Sequence, residues 1–162
     1  MKKIIPLVCI LALLTFAAGC GASEEESSEG SHAGHGDQRQ TTEGADVLPD
    51  FLAEKPENMQ TLYQAVAKSK DLLTYIPCYC GCGDTPFEHK SNYECFIHDN
   101  EKNGAIVWDD HATRCQACLD IAAESIIDYS NGKSIQEIRD QIDEAYQDGY
   151  PEPTKTPAPP KA

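Results

Sequence analysis

Residues 76–83 read Ile76-Pro77-Cys78-Tyr79-Cys80-Gly81-Cys82-Gly83. Three cysteines at alternate positions do not make a helical stripe, and Pro77 ends any helix before it, because the residue preceding a proline avoids helical geometry. The glycines relieve crowding, so several sulfurs can be aimed at one point. The stretch therefore divides the chain into a helical part before it, an irregular cysteine-rich region over residues 78–112, and a second helical part after it.

Working outward, Pro56-Glu57 opens a helical pattern in which Met59, Leu62, Tyr63 and Val66 recur at three- and four-residue spacing. Leu72, Leu73, Tyr75 and Ile76 continue it as a short turn of helix up to Pro77. On the far side, Thr113 with Gln116 reads as a capping box, starting a helix whose apolar side holds Cys115, Cys118, Leu119, Ala122, Ala123 and Ile126. Asn131-Gly132 stops that helix. Ser134 with Glu137 caps a third, striped by Ile135, Ile138, Ile142, Ala145 and Tyr146 and ended by Gly149 and Pro151. Within the irregular region, Cys95-Phe96-Ile97 and Ala105-Ile106-Val107-Trp108 read as a short hairpin around Asn103-Gly104. The predicted fold class is mostly α: a small helical domain with a cysteine-rich irregular region and a short β-hairpin.

The flanks of the 162-residue chain are of a different kind. Lys2 and Lys3 precede an apolar run over residues 4–18, shorter than the ~20 residues a membrane-spanning helix needs and suited to an export signal. The run ends in Ala17-Ala18-Gly19-Cys20, which resembles the lipobox of bacterial lipoproteins. That resemblance implies cleavage before Cys20 and a diacylglycerol on its sulfur. The expected organisation is a lipoprotein signal peptide at 1–19, the lipidated Cys20 with a disordered acidic tether at 20–50, a cysteine-rich domain at 51–150 and a Pro-rich tail at 151–162. About 100 residues are then left to form a core, enough for one small domain. The expected location is the extracytoplasmic face of the cell membrane, reached through the lipid anchor. The net charge of −14 argues against a nucleic-acid partner, for which a basic footprint is needed. A protein partner is left unspecified.

Of eight cysteines, Cys9 leaves with the signal and Cys20 takes the lipid, which leaves Cys78, Cys80, Cys82, Cys95, Cys115 and Cys118. Three chemistries compete for them. Metal binding draws on C-x-C-x-C together with a C-x-x-C on a first helical turn, where the helix N-terminus favours thiolate. Soft sulfur selects copper or zinc over hard cations. His89, His98 and His111 lie in the same region, with His111 a candidate ligand alongside the six cysteines. A disulfide framework suits an even count in an exported domain. Bridges within Cys78–Cys82 would be strained, so each of these three would pair with one of Cys95, Cys115 and Cys118. Thiol–disulfide exchange at Cys115-Gln116-Ala117-Cys118 is the third, although no thioredoxin-like strand–helix pattern precedes it. No Ser/His/Asp constellation, phosphate loop or spaced carboxylate pair stands out, so no enzyme active site is read.

Taken together, the Pro-Cys-Tyr-Cys-Gly-Cys run, His89-Lys90-Ser91-Asn92, Cys95-Phe96, Trp108-Asp109-Asp110-His111 and Thr113-Arg114-Cys115-Gln116-Ala117-Cys118-Leu119-Asp120-Ile121-Ala122 resemble the bacterial lipoproteins named for a PCYCGC motif. The resemblance covers about residues 57–148. It implies a lipid anchor, a single domain and six cysteines acting as one framework, and it leaves metal and disulfide undecided. The segment Gly83-Asp84-Thr85-Pro86-Phe87-Glu88 looks like a longer loop than the compact family form, which leaves the placement of His89 open. Two weaker signals remain. The tract Ser31-His32-Ala33-Gly34-His35-Gly36-Asp37 is a solvated linker or a weak capture arm for Cu(II) or Zn(II). Asp109 and Asp110 read as carboxylates favouring the positive end of the following helix.

Overall fold

The computed structural model describes residues 36–84 and 86–160. The signal segment, Cys20, His32 and His35 lie outside these residues.

The helices follow their local signals closely. Helix α1 (Glu57–Ala67) begins after Pro56, with Glu57 in its first turn, and buries Tyr63 and Val66. A single turn, α2 (Lys70–Leu73), buries Leu72 and Leu73 before Pro77. Helix α3 (Gln116–Ser130) buries Cys118, Ile121, Ala122 and Ser125. It stops at Asn131-Gly132, where Gly132 takes a φ of +91° that other residues resist. Helix α4 (Ile135–Tyr146) carries the capping box: the Ser134 hydroxyl accepts from the Glu137 amide, and the Glu137 carboxylate accepts from the Ser134 amide. Its buried stripe is Ile138, Ile142 and Tyr146, while Ala145 is exposed.

The start of α3 differs from the expectation. Thr113 lies in a 3-10 turn over His111–Arg114, and the N-cap is Cys115, whose sulfur accepts from the Cys118 amide at 3.5 Å. A thiol thus occupies the position that Thr113 was expected to fill, and it stands beside the other cysteines.

The fold class is also corrected: the protein is mixed α/β, not mostly α. Among the described residues helix makes up 42% and strand 10%, but the strands form a three-stranded antiparallel sheet of order β1-β3-β2. The hairpin around Asn103-Gly104 is present as β2 (Ile97–Asn100) and β3 (Ile106–Asp109), with an irregularity between Ile97 and Asp99. The unforeseen strand is β1 (Arg39–Thr42), which comes from the segment read as tether and pairs Arg39 with Asp109 and Thr42 with Ile106. Arg-Gln-Thr-Thr has no apolar alternation, so its sequence carries no strand signal. It is held instead by the ladder and by the Trp108 indole N–H, which donates to Thr42 Oγ1 at 2.7 Å. The ordered region therefore starts well before residue 51.

The sheet and helices close over one core. Tyr63 lies edge-on to Phe96 with centroids 4.8 Å apart, and beside Trp108 at 6.2 Å. Its buried hydroxyl donates to the Asp109 carbonyl at 3.1 Å, which anchors α1 to the end of β3. The tail also takes part: Thr154 is buried, its amide donates to the Cys78 carbonyl at 3.0 Å, and its hydroxyl accepts from the Cys78 amide at 2.9 Å.

Candidate metal centre

Four pieces of backbone bring the cysteines together. The loop after α2 supplies Cys78, Cys80 and Cys82. A 3-10 turn over Tyr93–Cys95 supplies Cys95, the start of α3 supplies Cys115 and Cys118, and the turn after β3 supplies His111. Alternation in the loop sends Tyr79 the other way, where its hydroxyl donates to Asp143 at 2.6 Å and its ring stacks on Tyr146. Gly81, at φ +80°, turns the chain between Cys80 and Cys82, a backbone conformation that a side chain would strain. Asn92 ties the parts: its amide N–H donates to the Ile76 carbonyl, and its side chain donates to the Cys118 carbonyl at 3.1 Å.

The sulfurs converge. Cys78 Sγ lies 3.2 Å from both Cys80 Sγ and Cys118 Sγ, and Cys118 Sγ lies 3.6 Å from Cys80 Sγ, which closes a triangle. Cys82 Sγ is 3.6 Å from Cys95 Sγ, and Cys80 Sγ is 3.7 Å from His111 Nε2. Among the described residues three sulfur-containing groups of donor atoms each fall within 4.8 Å: Cys78/Cys80/Cys118, Cys78/Cys82/Cys95 and Cys80/Cys82/His111. Each motif cysteine therefore belongs to two groups. All six cysteines are free thiols, and these separations are far beyond a disulfide bond of about 2.05 Å. They are close to the edges, about 3.8 Å, of a sulfur tetrahedron around an ion at about 2.3 Å. Cys115 stands at the margin, capping α3.

Proton affinities divide the six. Hydrogen bonding from Cys118 first, and from Cys80, holds the Cys78 thiol well below its ordinary value. Cys80 is held low by Cys115 and Cys118, and Cys82 by Cys118 and Cys78. Contacts with Cys115, Cys78, Cys80 and Cys82, together with burial, push Cys118 up. Cys95 is also raised: Cys118 acts to lower it, but Cys78, Cys80, Cys82 and complete burial outweigh that. Cys115 rises to about 12, as Cys80 and burial outweigh Cys118. Burial alone would lower His111, yet Cys80, Cys82 and Asp37 raise it to about 11. The motif cysteines are thus the ones whose proton affinity is lowered, beside cysteines from the rest of the chain whose proton affinity is raised.

His111 is oriented from behind. Its Nδ1 lies 3.1 Å from Asp37 Oδ1, while Nε2 faces Cys80. A carboxylate on one imidazole nitrogen fixes the ring for ligation by the other. His89 is buried next to His111, with ring centroids 4.8 Å apart, but belongs to none of the sulfur-containing groups. His98 is exposed on β2. Asp109 and Asp110 do more than favour a helix end. Asp109 is fully buried, accepting from the His111 amide and from Arg39, and Asp110 accepts from the Gln38 amide and from Arg114. Asp37 was missed in the sequence, because its place depends on the polar strand β1.

The sequence matches a known family model. A family model described as "Protein of unknown function with PCYCGC motif" matches residues 7–159. The chain belongs to the PCYCGC-motif family. No curated protein and no solved structure matches it. Within the PCYCGC family chain described here, the motif that names the family supplies the three sulfurs shared between groups, those of lowered proton affinity. The cysteine cluster can hold a metal ion.

Proposed function

We propose that this protein binds a thiophilic metal, copper or zinc, and sequesters or delivers it at the extracytoplasmic face of a membrane to which Cys20 anchors it. The reading is carried by one observation: five sulfurs and His111 Nε2 fall into overlapping groups of three around the motif loop. Five sulfurs and a nitrogen exceed one tetrahedral site, so two ions sharing Cys78 as a bridge, or a small Cu(I)–thiolate cluster, account for the set. Cys80 is the least buried of the six and offers the way in for an ion and the first sulfur to be exchanged with an acceptor. The lipid anchor rests on the Lys2-Lys3 start, the apolar run and Ala17-Ala18-Gly19-Cys20.

One specific observation favours a second reading, a disulfide-bonded surface module. With bridges inside the motif set aside as strained, the nearest neighbours fit Cys78 with Cys118 and Cys82 with Cys95, which leaves Cys80 for Cys115. Intact mass without reductant, under native and denaturing conditions, separates the two. Free thiols with added copper or zinc mass are expected. A mass about 6 Da below the reduced chain, two hydrogens per bridge, with no metal, overturns the metal reading. For the anchor, Cys20→Ala should release the protein from membranes, and unchanged retention counts against lipidation.

A further inference from the structure

The motif loop is held by a strap from the far end of the chain. Among residues 151–160 Thr154 alone is buried, with exposed residues on both sides of it. Its amide donates to the Cys78 carbonyl at 3.0 Å, and its hydroxyl accepts from the Cys78 amide at 2.9 Å. One tail residue therefore takes both backbone groups of the first motif cysteine. Thr156, half-buried, accepts from Arg139, and the same Arg139 nitrogen donates to the Tyr75 carbonyl just before the motif. Pro151 lies over Gly81 at ordinary contact distance. Gly83 is different. Its φ is not positive, so the backbone would accept alanine, yet a Cβ there would stand 3.1 Å from the Thr154 methyl. What keeps position 83 without a side chain is the strap.

The contact between strap and loop is narrow. A cavity of about 650 Å³, lined by Gly83, Asp84, His89, Pro153 and Lys155 among others, separates them beside Thr154. Pro151 and Pro153 flank Thr154, fix their own φ and supply no N–H, so the strap is pre-extended and loses little freedom on docking. The loop beneath it has no repeating hydrogen-bond pattern of its own. A narrow, pre-organised contact on an irregular loop can open and close while the helices stay folded. We propose that residues 151–156 are a latch, closed by Thr154 on Cys78, which sets how often the motif loop opens and so how fast reagents or ions reach and leave Cys78 and Cys82. With the latch closed, the motif sulfurs stay beside Cys95 and Cys118. With it open, the loop moves away, while Cys95 stays on its 3-10 turn and Cys118 on α3. Thr154 acts here as a positioning residue. Control over ions rests on the metal reading above, whereas control over the thiols themselves does not.

Cys78 and Cys82 are 0% and 2% exposed, so a thiol reagent reaches them only when the loop opens. The test is alkylation of the reduced, metal-free full chain by iodoacetamide, with the rate at each cysteine read by mass spectrometry. Thr154→Val, which lacks the hydroxyl, should react roughly tenfold faster at Cys78 and Cys82. Ser134→Ala, which weakens α4 through its cap, should leave those rates as they are. Unchanged rates in Thr154→Val overturn the latch. So do rates that rise equally in Ser134→Ala, because the opening would then be global unfolding. Gly83→Ala should also react faster, by pushing on the Thr154 methyl. Adding Thr154→Ser, which keeps the hydroxyl and removes that methyl, should restore the slow rate, and failure of this rescue counts against the latch. If near-ultraviolet dichroism shows that Thr154→Val does not fold, the rescue decides alone. Loaded with saturating Zn(II), Thr154→Val should hold as much zinc as the unmodified chain but release it faster to a chelator. Equal release beside faster alkylation overturns control over the ion. Absence of bound zinc in both chains would sink the metal reading, while the alkylation rates would still report the latch.

Discussion

Helix α4 and the loop over residues 77–84 pack against each other but are specified in opposite ways. α4 carries its own instructions: Ser134 and Glu137 start it, and Ile138, Ile142 and Tyr146 lay one face on the core. The loop makes no repeating backbone pattern and is held from outside. Thr154 takes both backbone groups of Cys78, Asp143 takes Tyr79, and Asn92 bonds Ile76. Its remaining cohesion is between sulfurs, three of which are driven toward thiolate. Anionic sulfurs crowded in a buried place repel one another unless a cation joins them. The contrast teaches that α4 is stabilised by its own sequence, whereas the loop is completed by distant residues and, in the proposed function, by metal.

The largest break in that contrast is metal addition. Ion at about a thousandfold over Kd should stabilise by about 4 kcal/mol, which for a domain of this size raises Tm by roughly 10–20 °C. Thermal melts of the reduced protein with and without Zn(II) or Cu(I) check this, and an unchanged Tm would place the loop's cohesion in protein contacts alone. Next is pH. Cys95 and Cys118 are held as thiols by raised proton affinity, so ion uptake must displace their protons. We predict that metal affinity falls as pH falls, up to about tenfold per pH unit for each proton displaced. Chelator competition at two pH values measures the slope, and a flat profile argues against those thiols as ligands.

The metal-free protein has its own alkaline limit. The folded Cys115 thiol, at about 12, binds its proton more tightly than in the unfolded chain, where a thiol titrates near about 8.5. Its contribution is therefore complete below about pH 8.5 and is lost as pH rises toward about 12. Denaturant titrations across that window should show falling stability, and a rise would reverse the sign. A smaller effect is expected from Thr154→Val, which keeps shape but leaves the Cys78 amide without its acceptor, at a cost of about 1–3 kcal/mol. That loss should appear together with weaker metal binding, since the bond holds the first motif cysteine. Smallest is Ser134→Ala, at about 1 kcal/mol through the lost cap. Metal content should be unaffected there, and a change in it would mean that α4 and the loop are not independently specified.

The same division decides what the sequence made legible. The three long helices are readable because capping residues and apolar spacing lie within a few positions of each other. The cysteine set is readable because its chemistry is rare. Strand β1 is not, since Arg39–Thr42 is a polar edge whose only reason to be extended is β3 beside it. With it goes Asp37, two residues before the strand and more than 70 from the His111 it orients. Cys115 as the α3 cap is hidden by the better-known signal of Thr113 with Gln116, and Thr154 sits in a stretch whose prolines suggest only a stiff tail.

The central claim is that the motif sulfurs form a metal-thiolate centre. X-ray absorption at the metal edge, on full-length protein loaded with zinc or copper after reduction, tests it most directly. The account predicts that sulfur, at about 2.3 Å, supplies most of the neighbours around the metal, with nitrogen or oxygen in the minority. A spectrum fitted by nitrogen and oxygen alone would contradict it.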